Sequence, residues 1–245
     1  FIHELLVHAV ARGAGLFTSP HLVRFNERIR DARGEISDAD LARWLGVLRE
    51  KTAGWEPLPT FFELALALAL LWFRERGCAW VVLETGLGGR LDATNAVTPV
   101  VSVITRIGMD HMEMLGGTLR AIAGEKAGII KPAVPVVTGP QQPEALEVLR
   151  QTAAGRSARL IEVDSPWQGA PPGLAGAHQR WNAALAVAAG RAAGLHPDDD
   201  TVARAVAATR WPGRFERLPG AVVLDGAHNT DAMEALVDTW REEFG

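Results

Sequence analysis

Trp80-Val81-Val82-Leu83-Glu84-Thr85-Gly86-Leu87-Gly88-Gly89 is the stretch whose reading decides the fold. Four apolar residues bounded by turn signals read as a buried strand. The strand runs without a linker into a carboxylate and a glycine-rich loop. In open parallel sheets, residues just past the carboxyl ends of strands face the ligand crevice. Glycines there let backbone approach a ligand closely. Gly86-x-Gly88-Gly89 does not have the dinucleotide spacing, so a nicotinamide site is a poor fit. Spacing alone fits equally well a glycine-rich turn with a salt-bridged Glu84.

Upstream, a helix is expected over Phe61 to Arg76, capped by Thr60 with Glu63 completing a capping box, and stopped by Gly77. Another is expected over Asp38 to Lys51. Phe1 to Ala14 reads as a helix with no capping residue before it, hence as one already under way at Phe1; a short apolar element, Leu16-Phe17-Thr18, follows it. Downstream, strands at Val100 to Thr105, Val134 to Thr138 and Arg159 to Val163 alternate with helices at Leu119 to Ile129 and Glu144 to Ala154. That alternation predicts a parallel sheet with crossover helices. A Pro- and Gly-rich stretch, Ser165 to Gly176, precedes helices at Arg180 to Ala193 and Thr201 to Ala208. A strand at Val222 to Leu224 and a helix from Asp231 close the chain. A domain boundary between Arg210 and Pro219 divides it into residues 1–212 and 213–245.

The composition allows a sizeable core: of 245 residues, 48% are hydrophobic and 22% charged. The net charge of −4 offers no basic excess to attract nucleic acid or an anionic membrane. Cys78 is the sole cysteine, so no internal disulfide can form, which fits a reducing compartment and a cytoplasmic protein. The longest apolar run, Leu64 to Phe73, meets Arg74, Glu75 and Arg76 too early to span a bilayer.

Three further clusters carry candidate chemistry. Asp110-His111 follows a strand; a lone histidine beside acids is usually a surface or structural residue, but a carboxylate, an imidazole and a hydroxyl together can hold magnesium when phosphates and water complete the octahedron. One cysteine and scattered histidines give none of the structural zinc spacings. Lys126, near a helix end, is indistinguishable by local physics from a solvated cation at the negative end of the dipole. Arg214 in Trp211-Pro212-Gly213-Arg214 suits a phosphate clamp, and Asp225 at a strand end suits ribose hydroxyls. An ordinary linker Arg and an N-capping Asp read equally well there.

Taken in order, Thr18 to Ile29, Thr60-Phe61-Phe62-Glu63, Glu84 to Asn95, Asp110-His111, Glu125 to Ile129, His178-Gln179 with Asn182, Trp211 to Arg214 and Asp225 to Asn229 resemble the folylpolyglutamate synthase/dihydrofolate synthase family of the Mur ligase superfamily. The resemblance implies an α/β fold: a P-loop ATPase-like parallel sheet with flanking helices, then the beginning of a Rossmann-like C-terminal glutamate ligase domain. It implies an ATP-dependent ligase that adds L-glutamate to folate and, in bifunctional bacterial members, to dihydropteroate, through an acyl phosphate. It implies Ser19, Glu84 and His111 as Mg2+ ligands, with Lys126 and His111 catalytic and Lys126 carbamylated. Asn182, Arg214, Asp225 and His228 would contact ATP. Thr60, Phe61, Phe62, Glu63, Leu91, Asp92 and Ala93 would line the pterin pocket. The expected partners are small molecules only, and the expected state is monomeric. The family's phosphate-binding loop does not occur within these 245 residues, so this chain alone is expected to turn over little or not at all. Two rivals stand beside this reading: another Mur-type amide ligase, and a non-catalytic folate-binding remnant.

Overall fold

The structure is a computed structural model, and it describes residues 1–10 and 13–245. It divides into two compact units, Val10–Val97 and Phe1–Ala9 with Thr98–Gly245. Helix α1 (Ile2–Ala9) belongs to the larger unit. It is shorter than the expected Phe1 to Ala14 helix. Residues 11 and 12 of that span lie outside the described residues, and Ala14 already belongs to a strand that is paired on both sides.

The smaller unit is built on β1 (Ala14–Phe17), β2 (Ile29–Asp31), β3 (Gly34–Glu35), α2 (Asp38–Thr52), α3 (Phe61–Glu75) and β4 (Trp80–Leu83). Its sheet has the order β3-β2-β1-β4. β1 and β4 are parallel, with Phe17 opposite Leu83, whereas β2 and β3 run antiparallel. The sheet is therefore mixed. The β2–β3 hairpin escaped the sequence reading because Ile29-Arg30-Asp31 is short and mostly charged.

α3 begins where the capping box predicts: Thr60 Oγ1 accepts from the Glu63 N–H, and Glu63 Oε2 accepts from the Thr60 N–H at 2.7 Å. Gly77, at φ +67, follows its end. Its buried residues Ala65, Leu66, Leu68, Ala69, Trp72 and Phe73 recur at helical spacing and pack on Phe17, Ile29 and Ile36.

The larger unit holds β5 (Ser102–Ile104), α4 (Met112–Leu115), α5 (Leu119–Ala127), β6 (Val136–Thr138), α6 (Pro143–Gly155), β7 (Leu160–Glu162), α7 (Ala177–Ala192), α8 (Asp199–Ala208), β8 (Glu216–Leu218), β9 (Val222–Leu224) and α9 (Thr230–Phe244). β5, β6 and β7 form the expected parallel sheet in that order. Val136, Val137 and Thr138 are all buried, as a strand covered on both faces requires. α7 lays Leu185 and Ala189 on Val137, and α1 inserts Leu5 among Ala183, Val202 and Val206. β8 and β9 make an antiparallel hairpin, and Phe215 before it packs on Trp240 and Phe244 of α9. Among the described residues, no helix is long and apolar enough to cross a membrane.

Candidate active site

In the smaller unit, the parallel β1–β4 pair delivers two of the expected residues to one edge. Continuing past the strands, the Glu84 N–H donates to the Phe17 carbonyl at 2.9 Å. The Ser19 N–H then donates to Glu84 Oε2 at 2.8 Å. A hydroxyl-bearing residue and a carboxylate thus sit together at adjacent strand ends, where parallel sheets place ligands.

The loop that carries Ser19 is held from within. The Glu27 carboxylate accepts backbone N–H bonds from Arg24 at 2.6 Å, Leu22 at 2.7 Å and Val23 at 2.9 Å. The Arg24 bond foremost, then that of Leu22, holds the Glu27 carboxyl below its ordinary range. A depressed carboxyl pKa contributes stability above the unfolded value, and that stability is lost as pH falls through the folded value. Wild type is therefore expected to lose stability relative to Glu27→Gln on acidification below about pH 4. Urea titrations of both proteins across that range check it; parallel pH curves would show no linkage.

Two of the expected pterin-pocket residues, Phe62 and Asp92, meet at Gly86. Asp92 Oδ2 accepts the N–H groups of Gly86 at 2.9 Å and Leu87 at 3.0 Å, and Asp92 Oδ1 accepts from Thr94 N–H at 2.9 Å and Thr94 Oγ1 at 2.6 Å. A Cβ on Gly86 would stand 2.7 Å from Phe62 Cζ, so only glycine lets this loop close on the ring. Phe61 and Leu91 are exposed, whereas Ala93 packs on the core. Asp92→Ala removes the acceptor of all these bonds and is expected to cost about 2–3 kcal/mol, read as a lower urea midpoint. A loss no larger than a surface substitution would show that the loop does not depend on Asp92.

In the larger unit, the expected residues fall into two groups. The first surrounds Asp110. Its Oδ1 accepts from the His111 N–H at 2.8 Å, and its Oδ2 accepts from Asn229 Nδ2 at 3.0 Å. His111 Nε2 and His228 Nε2 lie 3.8 and 4.0 Å from Oδ2. Burial raises the Asp110 pKa, but the Asn229 bond, the His111 N–H and the two imidazoles outweigh it, and the carboxyl ends below its ordinary range. Half-buried Lys126 feels the same carboxylate: burial pushes its ammonium pKa down and Asp110 partly offsets this.

The second group centres on His178. Asn182 Nδ2 donates to Gln179 Oε1 at 3.0 Å, and Gln179 Nε2 lies 3.0 Å from His178 Nε2. Burial depresses the His178 pKa, while the charges of Asp225 and Arg214 act on it in opposite senses. Asp225 is fixed by the Phe215 and Ala227 N–H groups, both at 2.8 Å. A Cβ on Gly226 would meet Arg214 Nη1 at 3.5 Å. His178 is thus linked through Gln179 to Asn182 and by charge to Asp225 and Arg214, whereas His228 lies 4.0 Å from Asp110. Asp110, Asn229, His178 and Gln179 lay inside motifs singled out in the sequence, but nothing local marked them as the connecting residues.

No protein-family model matches the chain. Curated relatives do. The dihydrofolate synthase/folylpolyglutamate synthase of Bacillus subtilis (strain 168) is 37% identical, covering 100% of this chain and 64% of the relative. An FPGS–AMPPCP–folate complex superposes with a TM-score of 0.90 at 31% identity, covering 100% of this chain and 68% of that one. The chain belongs to the folylpolyglutamate synthase/dihydrofolate synthase family. The Mycobacterium tuberculosis folylpolyglutamate synthase complexed with ADP and AMPPCP, at 33% identity and a TM-score of 0.88, is covered over 63% of its length. This chain thus spans about two thirds of the length of these family members.

The residues present fit the magnesium implied by the family. Among the described residues, no three His, Cys, Asp or Glu side chains gather into a self-sufficient metal cluster. Mg2+ does not need one: it keeps several waters and binds one or two protein oxygens beside substrate phosphates. The Ser19–Glu84 corner supplies oxygen donors of that kind.

Proposed function

We propose that the protein is an ATP-dependent carboxylate–amine ligase that adds L-glutamate to folate, and to dihydropteroate where the enzyme is bifunctional. The observation that carries the reading is the Ser19–Glu84 corner at adjacent parallel strand ends, in a chain of this family. Ser19, Glu84 and His111 would hold Mg2+, which when bound neutralises charge on the transferring phosphoryl group. The acceptor's terminal carboxylate takes the γ-phosphoryl group of ATP to form an acyl phosphate. The amine of glutamate attacks that carbonyl and phosphate leaves.

Asn182, Arg214, Asp225 and His228 would bind the nucleotide, and Thr60 to Glu63 with Leu91 to Ala93 would form the pterin wall. Burial of Lys126 favours its neutral amine, which is the form that adds carbon dioxide with loss of a proton; this supports its carbamylation. Residues 1–212 would belong to a P-loop ATPase-like domain and residues 213–245 to the start of a Rossmann-like glutamate ligase domain. The protein would act as a cytoplasmic monomer. Glutamate-dependent ADP release with a folate acceptor, measured on the natural gene product, tests the reading. Release that ignores folates and follows a cell-wall precursor instead would overturn it.

A further inference from the structure

Arg28 is buried, at 8% exposure, yet most of its hydrogen-bonding capacity is unused. Its Nε donates to His21 Nδ1 at 2.9 Å. Its guanidinium carbon lies 5.8 Å from the Phe25 ring centroid and 5.5 Å from that of Phe61. Neither Nη1 nor Nη2 has an acceptor among the described residues, and neither is sealed from solvent. A guanidinium retained only for packing would have its donors satisfied, because a buried cation with unpaired N–H groups is destabilising. Two aromatic faces and one imidazole fix the plane of this one and leave its fork open. Burial draws the Arg28 pKa down and Glu84 draws it up, so the charge stands beside the Ser19–Glu84 corner; arginine remains protonated throughout.

We propose that Arg28 binds the carboxylate of a pteroate-type acceptor, its Nη1 and Nη2 groups pairing with the two oxygens while the exposed Phe61 ring lies against the flat aminobenzoyl ring that bears them. The proposal rests on the folate-ligase reading. A planar fork matches a carboxylate in bidentate fashion. Arg28 would hold the group that must meet phosphate beside the two oxygen donors, and His21 would steer the fork by fixing Nε. The same fork could take another oxyanion, the phosphate of ATP, and the test separates the two.

Calorimetric binding of pteroate, its carboxamide and AMPPCP is to be compared for the natural gene product and its Arg28→Met and Arg28→Lys variants. Wild type is expected to prefer pteroate over the carboxamide by about 10-fold or more. Arg28→Met should weaken pteroate by about 10- to 100-fold, leave the carboxamide nearly unchanged and spare AMPPCP. Arg28→Lys, which keeps charge without a fork, should fall between. Equal losses for pteroate and carboxamide would reduce Arg28 to a structural role, and a loss confined to AMPPCP would assign the fork to phosphate; either overturns the proposal. Tight binding of both pterins by wild type without preference would sink this proposal and leave the folate reading standing. Binding of neither would remove both. If Arg28→Met does not fold, the wild-type preference and Arg28→Lys decide.

Discussion

In the natural gene product, Glu84→Gln is expected to cut glutamate-dependent ADP release by about 10²- to 10³-fold while leaving the fold intact. The substitution is isosteric, and its amide oxygen can still accept the Ser19 N–H that Glu84 Oε2 accepts at 2.8 Å. What it removes is the negative charge. A hard cation prefers anionic oxygen, and a neutral amide is a weaker ligand for it. The Mg2+ concentration needed for half-maximal rate should therefore rise along with the loss in rate. The thermal melt should move little, because the N–H keeps its acceptor and the change removes only charge, including that facing Arg28. An unchanged Mg2+ dependence would remove Glu84 from the metal. A large fall in melting temperature would make it a structural carboxylate, which is the other role that its glycine-rich setting allows.

The Glu84 side of the corner was legible because its signal is local, whereas Ser19 entered only through the family resemblance. An apolar run that ends in a carboxylate and glycines announces a strand end, and a strand end has a defined place in a parallel sheet. The capping box of α3 was legible for the same reason, since Thr60 and Glu63 lie within one turn. Arg28 was not. Its meaning depends on His21, Phe25 and Phe61, and the Phe61 contact crosses from one element to another. The sequence presents it as one of two arginines in Asn26-Glu27-Arg28-Ile29-Arg30, inside a family motif but with no role of its own. Asp92 shows a different gap. It was expected near the pterin, and the structure adds that its carboxylate is engaged in holding backbone, where it closes the glycine loop. A residue type at a motif position does not reveal whether its oxygens face a ligand or a peptide N–H. The β2–β3 hairpin went unread because three alternating residues lie below the length at which periodicity can be seen.

Phe73→Ala is expected to destabilise the smaller unit by about 3–5 kcal/mol, the range for emptying an aromatic site in a packed core. Phe73 is 2% exposed, and its ring lies tilted against Trp72 with centroids 5.7 Å apart. It also fills the space above Gly15, where an added Cβ would come within 2.6 Å of ring atom Cδ1. Gly15 pairs with Val81 across the β1–β4 ladder, two residues before the strand ends that lead to Ser19 and Glu84. The ring and the glycine are one fitted contact between α3 and the site-bearing strands. Gly15→Ala alone should destabilise by about 1–3 kcal/mol through overpacking. In the Phe73→Ala background its methyl would instead enter the vacated space, so the double variant should be more stable than the sum of the single losses predicts. Denaturant titrations followed by tryptophan fluorescence would measure the cycle, with Trp72 as a reporter beside the cavity. Additive losses would show that the two residues do not share this space, and the link between helix packing and the Ser19–Glu84 corner would have to run through other contacts of the sheet.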